Sequence, residues 1–150
     1  MSEGLLLLHI LGVATWFGAN VTQFAVNRSM MEDRGPVAAR WLRTTAGMSK
    51  TLYMPAAILI LVTGIALVVT SDGVFEFSDV FVSIGIVAII VGVVLGIKVF
   101  EPEAIKAADA FDAGDGDIAD TARARIRQFG VIDTLLMVVT VWAMVSRLGA

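Results

Sequence analysis

His9 is the only imidazole in the 150-residue chain, and it lies about one turn inside the first apolar stretch. In a membrane helix a histidine can ligate a metal ion or haem iron, or it can handle a proton. It can equally be a packed residue whose ring is satisfied by a backbone carbonyl or a neighbouring polar group. With one histidine per chain, haem b held by His9 would take its second ligand from Met54, Met137 or Met144, or from His9 of a second copy.

A polar line runs along the helix that the first stretch, residues 5–27, is predicted to form. At about 100° per residue its members fall on one side, and the other side is aliphatic. Because an unpaired amide in hydrocarbon costs several kcal/mol, the line is expected to face other helices or a bound cofactor. Trp16 and Asn20 are therefore predicted to line a cofactor pocket with His9 and Met54, or to hold helices together without a cofactor. The line comprises His9, Trp16, Asn20, Gln23 and Asn27, and the aliphatic side comprises Leu6, Leu8, Leu11, Val21 and Ala25.

Two charged residues stand near the ends of later apolar stretches. Lys98 ends the third stretch, and Asp133 is about one turn into the fourth. If one stretch runs inward and the other outward, both residues lie at a similar depth. We therefore expect an intramembrane Lys98–Asp133 ion pair, with one step of a proton path as the alternative. No nucleophile–base pair, phosphate loop or two-carboxylate pattern is present, so the sequence predicts no catalytic residue.

Four long apolar stretches must position these residues. The chain is 57% hydrophobic and 17% charged, with a mean hydropathy of +0.84, which is more apolar than a soluble domain of this length. Stretches at about 5–27, 51–70, 80–100 and 129–146 are long enough to cross a bilayer. We predict one all-α domain over residues 1–150, in which four transmembrane helices form an antiparallel up-down bundle. The first stretch has neither a basic segment before it nor a cleavage motif after it, which favours a retained helix.

The connections between the stretches carry further local signals. Pro36 suits the first turn of a helix, which either lies at the membrane interface or continues into the second span. Asp120 or Thr121 suits the cap of the helix that leads into the fourth span. In the third span small residues share one face, which lets helix backbones approach closely. These small residues are Gly85, Ala88, Gly92 and Gly96.

The distribution of basic residues predicts the orientation. Five Lys or Arg residues fall in the first connection, 28–50, and five in the third, 98–127, whereas the middle connection and the N-terminus have none. The positive-inside rule then places 28–50 and 98–127 in the cytoplasm and both termini outside an inner (plasma) membrane. The expected partners are the lipid bilayer and either further copies or a membrane complex. A net charge of −3 gives no indication of nucleic-acid binding.

His9-Ile10-Leu11-Gly12, followed by Trp16-Phe17-Gly18, resembles the first helix of the HemJ-like and CopD-like membrane families. There a motif of the form LHxxGxxxWFxG opens a four-helix unit. Leu52 to Ala56, which contains Met54-Pro55, is similar to the second helix of HemJ proteins. The resemblance implies a haem-linked role for His9 and, through HemJ, protoporphyrinogen oxidase activity. The Trp, Lys and Tyr-His pattern of the HemJ third helix is absent, because Phe77 to Val80 occupies that region without a histidine.

Three functions therefore remain open. The first is a redox-associated membrane protein that binds haem b or a related group through His9. The second is a non-enzymatic scaffold or accessory subunit, whose polar line serves helix association. The third is copper handling, as the CopD-like resemblance implies, although copper sites usually take several His or Met ligands.

Overall fold

The structure is a computed structural model that describes residues 2–30 and 32–149. Those residues form helices and turns without a strand, which confirms the predicted all-α class. The helical elements, with two π-helical segments named π1 and π2, are α1 Glu3–Met30, α2 Pro36–Met48, π1 Ser49–Tyr53, α3 Met54–Val69, α4 Val80–Leu95, π2 Gly96–Phe100, α5 Glu101–Asp112 and α6 Gly116–Val145.

These elements join into four long helices. Pro36–Val69 is continuous over 34 residues and Val80–Asp112 over 33, beside the 28 residues of α1 and the 30 of α6. At about 1.5 Å per residue each helix is longer than the roughly 30 Å of bilayer hydrocarbon. The four predicted spans are confirmed as a multi-pass bundle. The structure also selects one of the two alternatives for Pro36, because its helix continues directly into the second span.

The last helix begins earlier than expected. The side chain of Asp115, not of Asp120 or Thr121, caps α6 by accepting a hydrogen bond of 3.1 Å from the Ile118 N–H. An Asp at this position satisfies one of the N–H groups left free in the first turn. The turn between α5 and α6 therefore comprises only residues 113–115.

A separate layer of helices lies at one end of the bundle. We call this end the basic end, because the 28–50 and 98–127 connections lie there. In this layer α2, α5 and the first turns of α6 pack together. Alanine dominates the core, so the backbones approach closely without interlocking large side chains. The core consists of Ala38, Ala39, Leu42, Ala46, Ala104, Ala107, Ala108, Ala110, Phe111, Ala119 and Ala122.

The apolar parts of the four long helices form the second layer, which we call the membrane layer. Small residues also set the packing there. The close approach of α1 to α3 occurs at Gly12, where a Cβ atom would lie 2.8 Å from Cγ1 of Ile60. Similarly, α4 meets α6 at Gly85, where a Cβ atom would lie 2.5 Å from Cε of Met144. The aliphatic side of α1 is exposed, as predicted for a surface that meets lipid.

The two π segments lie side by side where the two layers meet. Each is followed by a proline at the second residue of the next α segment, Pro55 after π1 and Pro102 after π2. A proline has no N–H for the usual helical hydrogen bond and crowds the preceding turn, and a wider π turn accommodates that disruption. Nζ of Lys50 on π1 lies 2.7 Å from Oε1 of Glu101, the residue directly after π2. Residues of π1 and π2 border a space that remains between the two layers.

Candidate functional site

A cavity of about 1070 Å³ occupies that space, between the second half of α1, the two π segments and α6. Its size matches the upper range of pockets that hold small molecules and cofactors. Much of the wall is aliphatic or aromatic, and polar groups converge on the side that lies deeper in the membrane layer. The apolar wall includes Phe24, Leu42, Val93, Ile97, Phe100 and Ile126.

The deep side of the cavity is built around Asp133 of α6, which is only 3% exposed. One of its carboxylate oxygens, Oδ2, accepts two hydrogen bonds from α1. The indole Nε1 of Trp16 donates over 3.3 Å, and Nδ2 of Asn20 donates over 2.8 Å. Trp16 and Asn20 of the polar line of α1 thus face inward as predicted and meet the one acidic residue of the fourth span, whereas Asn27 at the end of the line is exposed.

Tyr53 of π1 extends this network. Its hydroxyl accepts a hydrogen bond of 2.7 Å from Nε2 of Gln23 and donates one of 2.8 Å to Oδ1 of Asn20. Its ring meets that of Trp16 edge to face, with 5.5 Å between centroids. The side chains of Gln23, Tyr53, Asn20 and Asp133 therefore form one hydrogen-bonded chain across α1, π1 and α6.

Gly92 of α4 makes room for this arrangement. A Cβ atom there would lie 2.5 Å from Cζ2 of Trp16 and 3.3 Å from Oδ1 of Asp133. Gly96, one turn further along, forms a GxxxG pattern with Gly92. It has no atom within 4 Å of its hypothetical Cβ and lines the cavity. One glycine of the pair thus serves close packing, and the other borders open space.

His9 lies outside this site. It is buried against α3, where Nδ1 is 3.1 Å from the carbonyl oxygen of Ile60 and 3.1 Å from Oγ1 of Thr63. Seven residues separate it from Trp16, which is about 10 Å along the helix axis. The cavity lining includes Trp16, Asn20 and Met54 but not His9. Of the four residues predicted to share a pocket, the structure brings three together and leaves the histidine elsewhere.

The expected ion pair between Lys98 and Asp133 is not formed in the described part of the chain. Lys98 is exposed on π2, whereas Asp133 is buried and bonded to Trp16 and Asn20. The pair that we expected from a similar depth in the bilayer does not form, because Lys98 lies on an exposed face of π2 and Asp133 on a buried face of α6. Tyr53 is the site residue that the sequence analysis missed. It is the only tyrosine in the chain and stands two residues before Pro55. These two features are the signals in the sequence that could have identified it.

Charged residues line the cavity near the basic end. Two basic residues are paired, Lys50 with Glu101 and Arg123 with Asp120, the latter over 3.0 Å. Arg28 and Arg127 are exposed cavity-lining residues, and neither forms an ion pair within residues 2–30 and 32–149. Within the same residues no group of three or more His, Cys, Asp or Glu side chains is placed to hold a metal ion.

Comparison with known proteins places the chain in a family. A family model described as "Predicted integral membrane protein (DUF2269)" matches residues 3–148. The chain belongs to the DUF2269 family. Membership agrees with the four long apolar helices, so this DUF2269 protein is an integral membrane protein in contact with the lipid bilayer. The HemJ-like and CopD-like resemblance is not confirmed by this match. No curated protein and no solved structure matches the chain.

The two glycines of the GxxxG provide a test of the packing. We expect Gly92→Ala to lower the free energy of unfolding by about 1–3 kcal/mol, because the added methyl group overlaps the Trp16 ring. Gly96→Ala is the matched control: its methyl group enters open space, and alanine favours a helix over glycine. Denaturation in detergent, followed by circular dichroism, measures both. Equal effects of the two substitutions would contradict the packing described here.

Proposed function

We propose that this protein is a membrane-embedded binding protein that takes an amphipathic small molecule into the cavity between α1, the π segments and α6. The observation that carries the proposal is the combination of a cavity of about 1070 Å³ with the Asp133 network on its deep side. Apolar walls suit the body of such a ligand, and a few convergent polar groups suit its head.

The network supports a binding role because its geometry is held from several directions. Asn20 donates to Asp133 and accepts from Tyr53, while Gln23 donates to Tyr53. Side chains fixed in this way lose little conformational freedom when a ligand binds, which favours affinity. The same hydrogen bonds also join α1 to α6 and π1, and this is the feature that a purely structural scaffold would share.

Haem binding through His9 stays a prediction, and the cavity does not fit it. Nδ1 of His9 donates to the Ile60 carbonyl in the way common among metal-ligating histidines, which would leave Nε2 for iron. However, Met54 borders the cavity and His9 does not, so the two predicted ligands do not face one space in a single chain. Copper handling also stays a prediction, and the described residues offer no cluster of His or carboxylate ligands for it.

A pair of glycine substitutions tests the proposed binding. In membranes or lipid nanodiscs, we expect saturable binding of at least one member of a charge series of phenyl-substituted probes: tetraphenylphosphonium, triphenylphosphine oxide and tetraphenylborate. Gly96→Phe should abolish it by filling the cavity. Gly18→Phe is the matched control, since Gly18 is exposed on α1 with no atom within 4 Å of its hypothetical Cβ.

Binding can be read from Trp16 after Trp41→Phe and Trp142→Phe remove the other two tryptophans. Trp16 lines the cavity, whereas Trp142 is 60% exposed on the outer surface. A saturable change in Trp16 fluorescence that Gly96→Phe removes and Gly18→Phe preserves supports a binding protein. The absence of binding by all three probes would favour the scaffold.

The orientation belongs to the same proposal, because it decides from which side water-soluble groups reach the cavity. The basic connections place residues 28–50 and 98–127 in the cytoplasm and both termini outside the inner membrane. The chain has no cysteine, so single-cysteine variants can be labelled without background. With a membrane-impermeant maleimide on intact cells, we expect Ser78→Cys to react and Ala113→Cys to react only after lysis. Both positions are exposed. The reverse pattern would invert the proposed topology.

The haem prediction has its own spectroscopic test. Haem ligated by His9 gives purified protein a Soret band that His9→Ala removes and that the neighbouring Leu8→Ala, on the exposed side of α1, retains. A colourless preparation that is folded by circular dichroism would contradict haem binding while leaving the cavity proposal intact, since that proposal does not use His9.

A further inference from the structure

We propose that the ligand of the cavity is a lipophilic organic cation, whose charge is neutralised by Asp133. This inference rests on the proposed binding function and specifies its ligand class. It is carried by the free side of the Asp133 carboxylate, by the aromatic rings beside it and by the pairing of the nearby basic residues.

The carboxylate has one oxygen engaged and one available. Oδ2 accepts from both Trp16 and Asn20, whereas Oδ1 has no hydrogen-bond partner within the described residues. Oδ1 of Asp133 is not fully enclosed by the described residues, and Asp133 lines the cavity. A carboxylate inside a bilayer is costly unless a positive charge accompanies it. No Lys, Arg or His side chain within the described residues supplies that charge to Asp133.

The aromatic residues favour an organic cation over a metal ion. Trp16 and Tyr53 line the cavity next to Asp133, and Phe24 and Phe100 line it further out. The faces of aromatic rings attract cations, most strongly where water is excluded. A small metal ion would need several oxygen ligands, which the described residues do not gather here. An alkyl or aryl ammonium or phosphonium group instead takes one counter-charge and an apolar surround.

The basic residues that line the same cavity do not oppose this assignment. Lys50 and Arg123 are neutralised by Glu101 and Asp120. Arg127 is six residues from Asp133 on α6, about 9 Å along the axis, and Arg28 is eight residues from Asn20 on α1, about 12 Å. Both arginines are exposed, and neither lies within ion-pair distance of Asp133.

The test compares the same three probes in the Trp16-only protein. We expect tetraphenylphosphonium to bind at least tenfold more tightly than neutral triphenylphosphine oxide or anionic tetraphenylborate. Asp133→Asn should lower the phosphonium affinity at least tenfold, because the amide keeps the shape and the hydrogen-bond acceptor but removes the charge. It should change the affinity of the neutral probe less than threefold, which also reports that the cavity remains folded.

Asp117→Asn is the control for a carboxylate near the basic end, because Asp117 is exposed and does not line the cavity. We expect this variant to bind the phosphonium probe like the parent protein. Equal binding of the charged and neutral probes, or an equal loss in Asp117→Asn and Asp133→Asn, would overturn the cation assignment while the binding function stands. If no probe binds the parent protein, the binding function and this inference fail together.

Discussion

The structure depends on one constraint, which is that a polar side chain inside a bilayer must find its partner within the protein. Asp133 meets that constraint by accepting from Trp16 and Asn20, and Tyr53 links Asn20 to Gln23. Four apolar helices can pack in lipid in many registers that differ little in energy, because lipid and aliphatic side chains are similar surroundings. The network removes much of that freedom, since α1 has to present its polar line to α6 and π1 at one depth.

The cavity follows from how the remaining helices accommodate that arrangement. Gly92 lets Trp16 approach α4, while π1 and π2 widen the two long helices just before Pro55 and Pro102. The alanine-rich core of α2, α5 and α6 then closes the basic end without large side chains that would fill the space. The resulting site has mostly apolar walls, the acidic Asp133 on its deep side and basic residues near the basic end. The occupant that we propose for this site is an amphipathic cation, whose positively charged head would pair with the free oxygen of Asp133.

The surroundings of His9 show why its residue type alone did not define the site. His9 is engaged with α3 through Ile60 and Thr63, and it does not share a space with Met54. A histidine in a membrane helix is an obvious candidate ligand from sequence. The backbone carbonyl and the hydroxyl that meet His9 both engage Nδ1, so these contacts fix the orientation of the ring against α3 and keep it out of the cavity.

The sequence by itself determined the four helices, their order and the inward-facing line of α1, because the cost of exposing an amide to lipid can be read from residue types at helical spacing. It also identified Trp16, Asn20 and Met54 as pocket residues. It did not determine which polar groups meet. The partner of Asp133 proved to be α1 and not Lys98, Tyr53 joined the network from a π turn, and Gly92 and Gly96 separated into packing and cavity roles. These outcomes depend on the rotation of each helix about its axis, which long-range packing decides and which no local pattern encodes.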